Sequence, residues 1–167
     1  SCVPILNFDT ERISSWAHDA CNAQITEVQN RLYKQDTLII AAYWAYQLPS
    51  AKFKHALNNF LQEVSPRYNQ IIIMAQLPQF SGNVLRQYKF NSLNLPRENT
   101  MLTKSFLANE ELLKISSNYK NVTLLDVTDH EVFQNAPFYN GKLFYDDDHQ
   151  INDLGIRLYK EVIEDDL

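Results

Sequence analysis

The chain has 167 residues, of which 45% are apolar and 12% aromatic, with only 3 glycines and 6 prolines; this composition argues against disordered, collagen-like or low-complexity sequence. Its 15 basic and 20 acidic side chains give a net charge of -5, so it carries no electrostatic footprint for a polyanion and no nucleic-acid partner is expected. The longest apolar run, Leu38 to Tyr46, is about half of a bilayer crossing, and the length suits a single domain over residues 1–167 with a real core.

No charged and apolar leader precedes Cys2 and the first residue is not Met, so the chain reads as a piece excised from something longer. Cys2 and Cys21 are its two cysteines. They are either unrelated thiols or a disulfide; a bridge over such a loop is worth roughly 3 kcal/mol and belongs to an oxidising compartment.

Residues 9–33 carry Ile13, Trp16, Ala20, Ile25, Val28 and Leu32 at helical spacing, which predicts two helical segments broken near Cys21 and Asn22. Residues 36–46 are almost uniformly apolar and predict a strand covered on both faces, as in parallel sheets. A helix opens at Pro49-Ser50, places Phe53, Leu57, Phe60, Leu61 and Val64 on one stripe, and stops at Pro66. Ile71–Ala75 predicts a second buried strand, and residues 79–96, without a clean period, a surface excursion of the kind that flanks sites. A helix from about Arg97 to Tyr119, a third strand at Val122–Val127, a polar turn at Asp146–Gln150 and a final helix capped by Asn152 or Asp153 complete the order. Strands alternating with helices predict an α/β fold, a three-layer α/β/α sandwich with a parallel sheet.

The segment most able to carry chemistry is Tyr145-Asp146-Asp147-Asp148-His149-Gln150. An Asp three residues before a His can turn its carboxylate to Nδ1 and leave Nε2 as a general base toward a hydroxyl; Asp146 and His149 have that spacing. The same residues also read as a solvated acidic turn, or as carboxylates and an imidazole around a cation. No second His or Cys cluster stands at ligand spacing, so no metal and no cofactor is expected. His18, His55 and His130 read as ordinary surface histidines, and Asn121-Val122-Thr123 is a glycosylation acceptor pattern too short to decide anything.

The Asp-x-x-His before a terminal helix, with Gly155 soon after, resembles the last block of the SGNH hydrolase superfamily. The whole chain resembles the periplasmic SGNH domain at the C-terminus of acyltransferase-3 membrane proteins, bacterial enzymes that O-acetylate surface polysaccharides such as lipopolysaccharide O-antigen. Three further features carry the resemblance: Cys2-Val3-Pro4 with Cys21 downstream, Asp36 to Trp44 with Tyr46 nearby, and Gln76-Leu77-Pro78-Gln79-Phe80.

The resemblance implies a flavodoxin-like SGNH fold whose first strand, its helix and second strand lie upstream of Ser1, and a Cys2–Cys21 disulfide. It implies acyl transfer by a Ser-His-Asp triad in which His149 and Asp146 serve a serine outside this chain, because no Gly-Asp-Ser is present. The Ser81-Gly82-Asn83 triplet echoes it only in reverse. Gly155 stands six residues after His149 where the family usually has five, and Ala42-Tyr43-Trp44-Ala45 replaces the superfamily's Gly-x-Asn-Asp oxyanion block. Trp44 and Tyr46 are then either lining for an acyl or sugar pocket or ordinary core aromatics. The implied partners are an acetyl donor reached through a membrane acyltransferase domain and a polysaccharide acceptor, and the implied location is periplasmic. A fragment without its first strand exposes an apolar edge at 37–43 and is expected to form a homodimer or bind a neighbouring segment through it. The alternatives are a carbohydrate esterase, or a non-catalytic carbohydrate-binding domain using Trp44, Tyr46 and the 79–96 loop.

Overall fold

Three parallel strands, β1 (Gln35–Ile40), β2 (Tyr68–Met74) and β3 (Val122–Leu125), form a sheet in the order β1-β2-β3, as the alternation of strands and helices predicts. In register, Ile39 pairs with Ile72 and Ile72 with Thr123. The computed structural model describes residues 2–32, 35–95 and 98–166. The chain divides into two units, Ser1–Met74 with Ala108–Leu125, and Ala75–Leu107 with Asp126–Leu167.

The first unit holds the sheet. Two 3-10 turns, Thr10–Arg12 and Ser15–Ala17, precede α1 (His18–Arg31). The break expected near Cys21 therefore falls before His18, and the helix runs through Cys21, whose sulfur is bonded to Cys2. After β1 comes a single helical turn, α2 (Trp44–Gln47), and then α3 (Ala51–Val64). Ser50 caps α3 by accepting a hydrogen bond from the Phe53 amide at 3.1 Å. Its stripe of Phe53, Leu57, Phe60, Leu61 and Val64 packs with Ile40, Ile71 and Ile73 of the sheet and Leu112 and Ile115 of α5 (Thr103–Ser116). Helix α5 begins at Thr103 rather than near Arg97, which lies outside the described residues: residues 98–102 are not helical, because Met101 bridges Phe80 and the Leu102 amide donates to the Gln79 carbonyl.

The apolar run at 36–46 is not one long strand. It leaves the sheet after Ile40, and Trp44 enters the core on α2, fully buried, with its indole N–H donating to the Met74 carbonyl at 2.7 Å. A buried indole donor needs such a partner, and the turn into α2 delivers it. Nor is β1 covered on both faces: Ile40 is buried, but Ile39 is 62% exposed. Only β2, with Ile71, Ile72 and Ile73 all buried, fits the doubly covered pattern.

Among its described residues the second unit has no sheet of its own beyond a short hairpin. The expected excursion at 79–96 contains α4 (Val84–Ser92), capped by Asn83 accepting from the Arg86 amide at 2.7 Å. A short helix α6 (Glu131–Gln134) is capped by His130, whose Nδ1 accepts from the Val132 amide at 3.3 Å. Strands β4 (Phe138–Tyr139) and β5 (Lys142–Leu143) pair antiparallel. They turn on Asn140 and Gly141, both at positive φ, the pair of conformations that a two-residue hairpin turn requires. The last helix, α7 (Asp153–Asp166), closes the unit. Phe133 is its aromatic hub, edge-on to Phe144 at 6.0 Å and to Tyr159 at 5.8 Å. Among the described residues no helix is long and apolar enough to cross a membrane.

Candidate active site

The His149 loop lies wholly in the second unit and is pinched shut at its base. Tyr145 bridges Ile151, the Asp146 amide donates to the Gln150 carbonyl at 2.9 Å, and the Asn152 amide donates to the Phe144 carbonyl at 3.0 Å. Of the two capping candidates, Asn152 and Asp153, it is Asn152 that caps: its Oδ1 accepts from the amides of Leu154 and Gly155 while its Nδ2 donates to the Leu143 carbonyl. That cap satisfies orphan donors of α7 and ties the end of β5 to its first turn.

Inside the loop, Asp147 Oδ1 accepts from the amides of His149 at 2.8 Å and Gln150 at 2.7 Å, an Asx turn that fixes the backbone of the histidine. The imidazole, one-third exposed, has its Nδ1 3.0 Å from Asp148 Oδ1 and 3.3 Å from Asp147 Oδ1. A carboxylate can only accept, so Nδ1 carries the proton and in the neutral ring the lone pair sits on Nε2. The bond from His149 holds the Asp148 carboxyl below its ordinary range, with partial burial opposing. Asp146, expected at Nδ1, has an exposed side chain. The Asx turn brings the ring to the carboxylate one residue back rather than three.

A second segment braces this loop from behind. The fully buried Tyr145 donates its hydroxyl to the Pro78 carbonyl at 2.9 Å, and burial pushes its phenol well above the usual range. The Phe80 amide donates to the Asp148 carbonyl at 2.8 Å, and the Phe80 ring stands edge-on to Tyr145. Residues 78–80 thus hold the acidic run through the Tyr145 hydroxyl just before it and the Asp148 carbonyl at its end.

Asp147, Asp148 and His149 also place three potential ligand atoms within 4.8 Å of one another. Those atoms already satisfy each other and the turn, the Asp147 oxygen with two amides and the Asp148 oxygen with the ring.

The other predicted site residues lie in the first unit. Trp44 has no exposed face and serves the core. Tyr46 is 40% exposed; the Arg12 guanidinium lies 4.6 Å over its ring, and its hydroxyl donates to the Arg12 carbonyl. It borders a cleft of about 500 Å³ with Ile13, Trp16, Gln24 and the Cys2–Cys21 bridge. Sequence reasoning missed Asp148 as the partner of His149, although the three aspartates in a row offered it, and missed the clamp by Pro78 and Phe80, though it had singled out their segment.

The decisive observation is a family match: the description "SGNH domain (fused to AT3 domains)" covers residues 1–165. The chain belongs to the SGNH domain family of acyltransferase-3 proteins. No curated protein and no solved structure matches it. In this SGNH domain the mixed α/β fold with its parallel sheet is that of the SGNH hydrolases, and the fusion makes a membrane acyltransferase its partner domain.

Proposed function

We propose that residues 1–167 act as one periplasmic domain of an inner-membrane protein that transfers acetyl groups to hydroxyls of a cell-surface polysaccharide, such as lipopolysaccharide O-antigen. The observation that carries the reading is the Nδ1 bond from His149 to Asp148, which fixes the tautomer that leaves a base at Nε2. His149 takes the proton of a serine supplied by polypeptide outside these residues as that serine attacks the acetyl donor. It returns the proton to the leaving group, then takes the proton of the acceptor hydroxyl as it attacks the acetyl-serine and passes that proton to the departing serine oxygen. Asp148, in the role the sequence suggested for Asp146, holds the ring and stabilises the imidazolium. By itself this chain turns nothing over. The disulfide between Cys2 and Cys21 supports an oxidising location.

The test is acetylation of surface polysaccharide by the full-length protein. His149→Ala is expected to lower the rate by about 10³ or more, and Asp148→Asn to cost far more than Asp146→Asn. Acetylation that persists in His149→Ala overturns the reading.

A second reading, a domain that only grips glycan, is favoured by Trp16, 85% exposed beside the cleft that Tyr46 borders. It predicts that polysaccharide binding survives His149→Ala and fails in Trp16→Ala.

A further inference from the structure

Two amides flank the Cα of His149, its own and that of Gln150, and a single oxygen, Asp147 Oδ1, accepts from both, at 2.8 and 2.7 Å. The first bond holds the peptide plane that sets φ of His149 and the second the plane that sets ψ. The direction of its Cα–Cβ bond therefore follows from one side-chain atom two residues back. The backbone that carries this atom is itself held by residues 80–84: the Asp147 carbonyl accepts from the Val84 amide at 3.5 Å, and the Asp148 carbonyl from the Phe80 amide at 2.8 Å. What is left is the rotation of the imidazole about its own side chain, and the bond from Nδ1 to Asp148 Oδ1 at 3.0 Å sets it. Asp147 Oδ1 also lies 3.3 Å from Nδ1. Its two lone pairs are taken by the two amides, so the ring proton goes to the nearer Asp148.

Resting on the acetyl-transfer reading above, we propose that Asp147 is a positioning residue for the His149 base, and that it works through the geometry of one acceptor oxygen while Asp148 works through charge. The two adjacent carboxylates are then not interchangeable. An Asx turn asks only for a side-chain oxygen at the right reach, which the amide of Asn supplies as a carboxylate does. The partner of Nδ1 has a stricter task, because it must accept from the ring and face an imidazolium once Nε2 has taken a proton. An Asn in that place can turn its NH2 to Nδ1, favour the other tautomer and remove the lone pair from Nε2. Asp147 has no part in moving the proton. It acts through the aim of His149, and a misplacement of a base by one ångström costs on the order of 10²-fold.

The experiment measures acetyl transfer to surface polysaccharide by the full-length protein in membranes, for Asp147→Ala and Asp147→Asn, each alone and combined with Asp148→Asn. Asp147→Ala is expected to lower kcat by about 10²-fold with KM for the acceptor little changed, and Asp147→Asn to recover transfer to within about tenfold of wild type. Asp148→Asn alone should stay down. In the Asp148→Asn background Asp147→Ala should cost less than about threefold, since a ring without its carboxylate loses little by losing its aim, whereas a merely structural role would cost the same factor in both backgrounds. Nitrogen-15 NMR of histidine-labelled protein reads the placement without turnover: His149 should carry its proton on Nδ1 in wild type and Asp147→Asn, and divide it between the two nitrogens in Asp147→Ala. Wild-type transfer in Asp147→Ala overturns the proposal, as do equal losses in the two backgrounds. Asp147→Asn as damaging as Asp148→Asn also overturns it, and that comparison stands even if the Ala variant does not fold. His149→Ala run alongside separates the two readings: transfer that survives it sinks acetyl transfer itself, whereas an undamaged Asp147→Ala beside an inactive His149→Ala sinks only the part given to Asp147.

Discussion

The imidazole of His149 is bonded through Nδ1 to the carboxylate of its immediate neighbour, Asp148, at 3.0 Å. Because that bond is what lowers the Asp148 pKa, chiefly through its hydrogen bond and against the opposing effect of burial, it can be followed by titration. The folded value lies below the unfolded one, so the stabilisation is complete above the ordinary carboxylate value of about 3.9 and is lost as pH falls through the lower folded value. Carboxyl-carbon NMR should show Asp148 titrating below the ordinary carboxylate range in wild type and moving upward in His149→Gln. Unchanged titration of Asp148 in that variant would remove the pairing.

Gly155 is required by space. A Cβ built there would lie 2.5 Å from the Phe144 carbonyl oxygen and 2.6 Å from the Ile151 Cβ, neither of them the far end of a flexible side chain. Gly155→Ala is expected to cost about 1–3 kcal/mol by forcing α7 away from the base of the histidine loop. Thermal denaturation should show a drop of several degrees, with the Asp148 titration disturbed in the same variant.

Reducing the Cys2–Cys21 bond, or replacing both residues by Ser, releases a loop closed across 19 positions. Chain entropy sets the loss at roughly 3 kcal/mol. Equal melting curves with and without reductant would refute it.

Among the described residues β1 pairs with β2 alone, and Ile39 on it is 62% exposed. An unguarded apolar edge invites another strand. The 167-residue chain should therefore self-associate as its concentration rises, by light scattering, and Ile39→Lys should suppress this. A monomer at every concentration would show that the edge is not sticky.

How much of this was readable beforehand depends on the distance over which each feature is decided. Helix α3 could be read almost residue for residue, because its cap, its apolar stripe and Pro66 are all local signals. The stretch after Ile40 could not: whether Ala41 to Tyr46 continues a strand or turns into a helix depends on Trp44 finding the Met74 carbonyl, 30 positions away. The β4–β5 hairpin carried its signal openly in Asn140-Gly141 and was passed over. At the site, the sequence singled out the loop in which the structure pairs a histidine with a carboxylate. Three adjacent aspartates are locally equivalent, however, and only the Asx turn made by Asp147 decides which of them meets the ring.

The base of the His149 loop is stapled by backbone bonds on both strands and by Asn152, so the five residues from Asp146 to Gln150 have a count as well as a composition. Inserting or deleting one residue cannot be absorbed by slack in the chain; it must either break a staple or rotate the ring off its carboxylate. Evolution of this segment should therefore proceed by exchange of side chains at constant length.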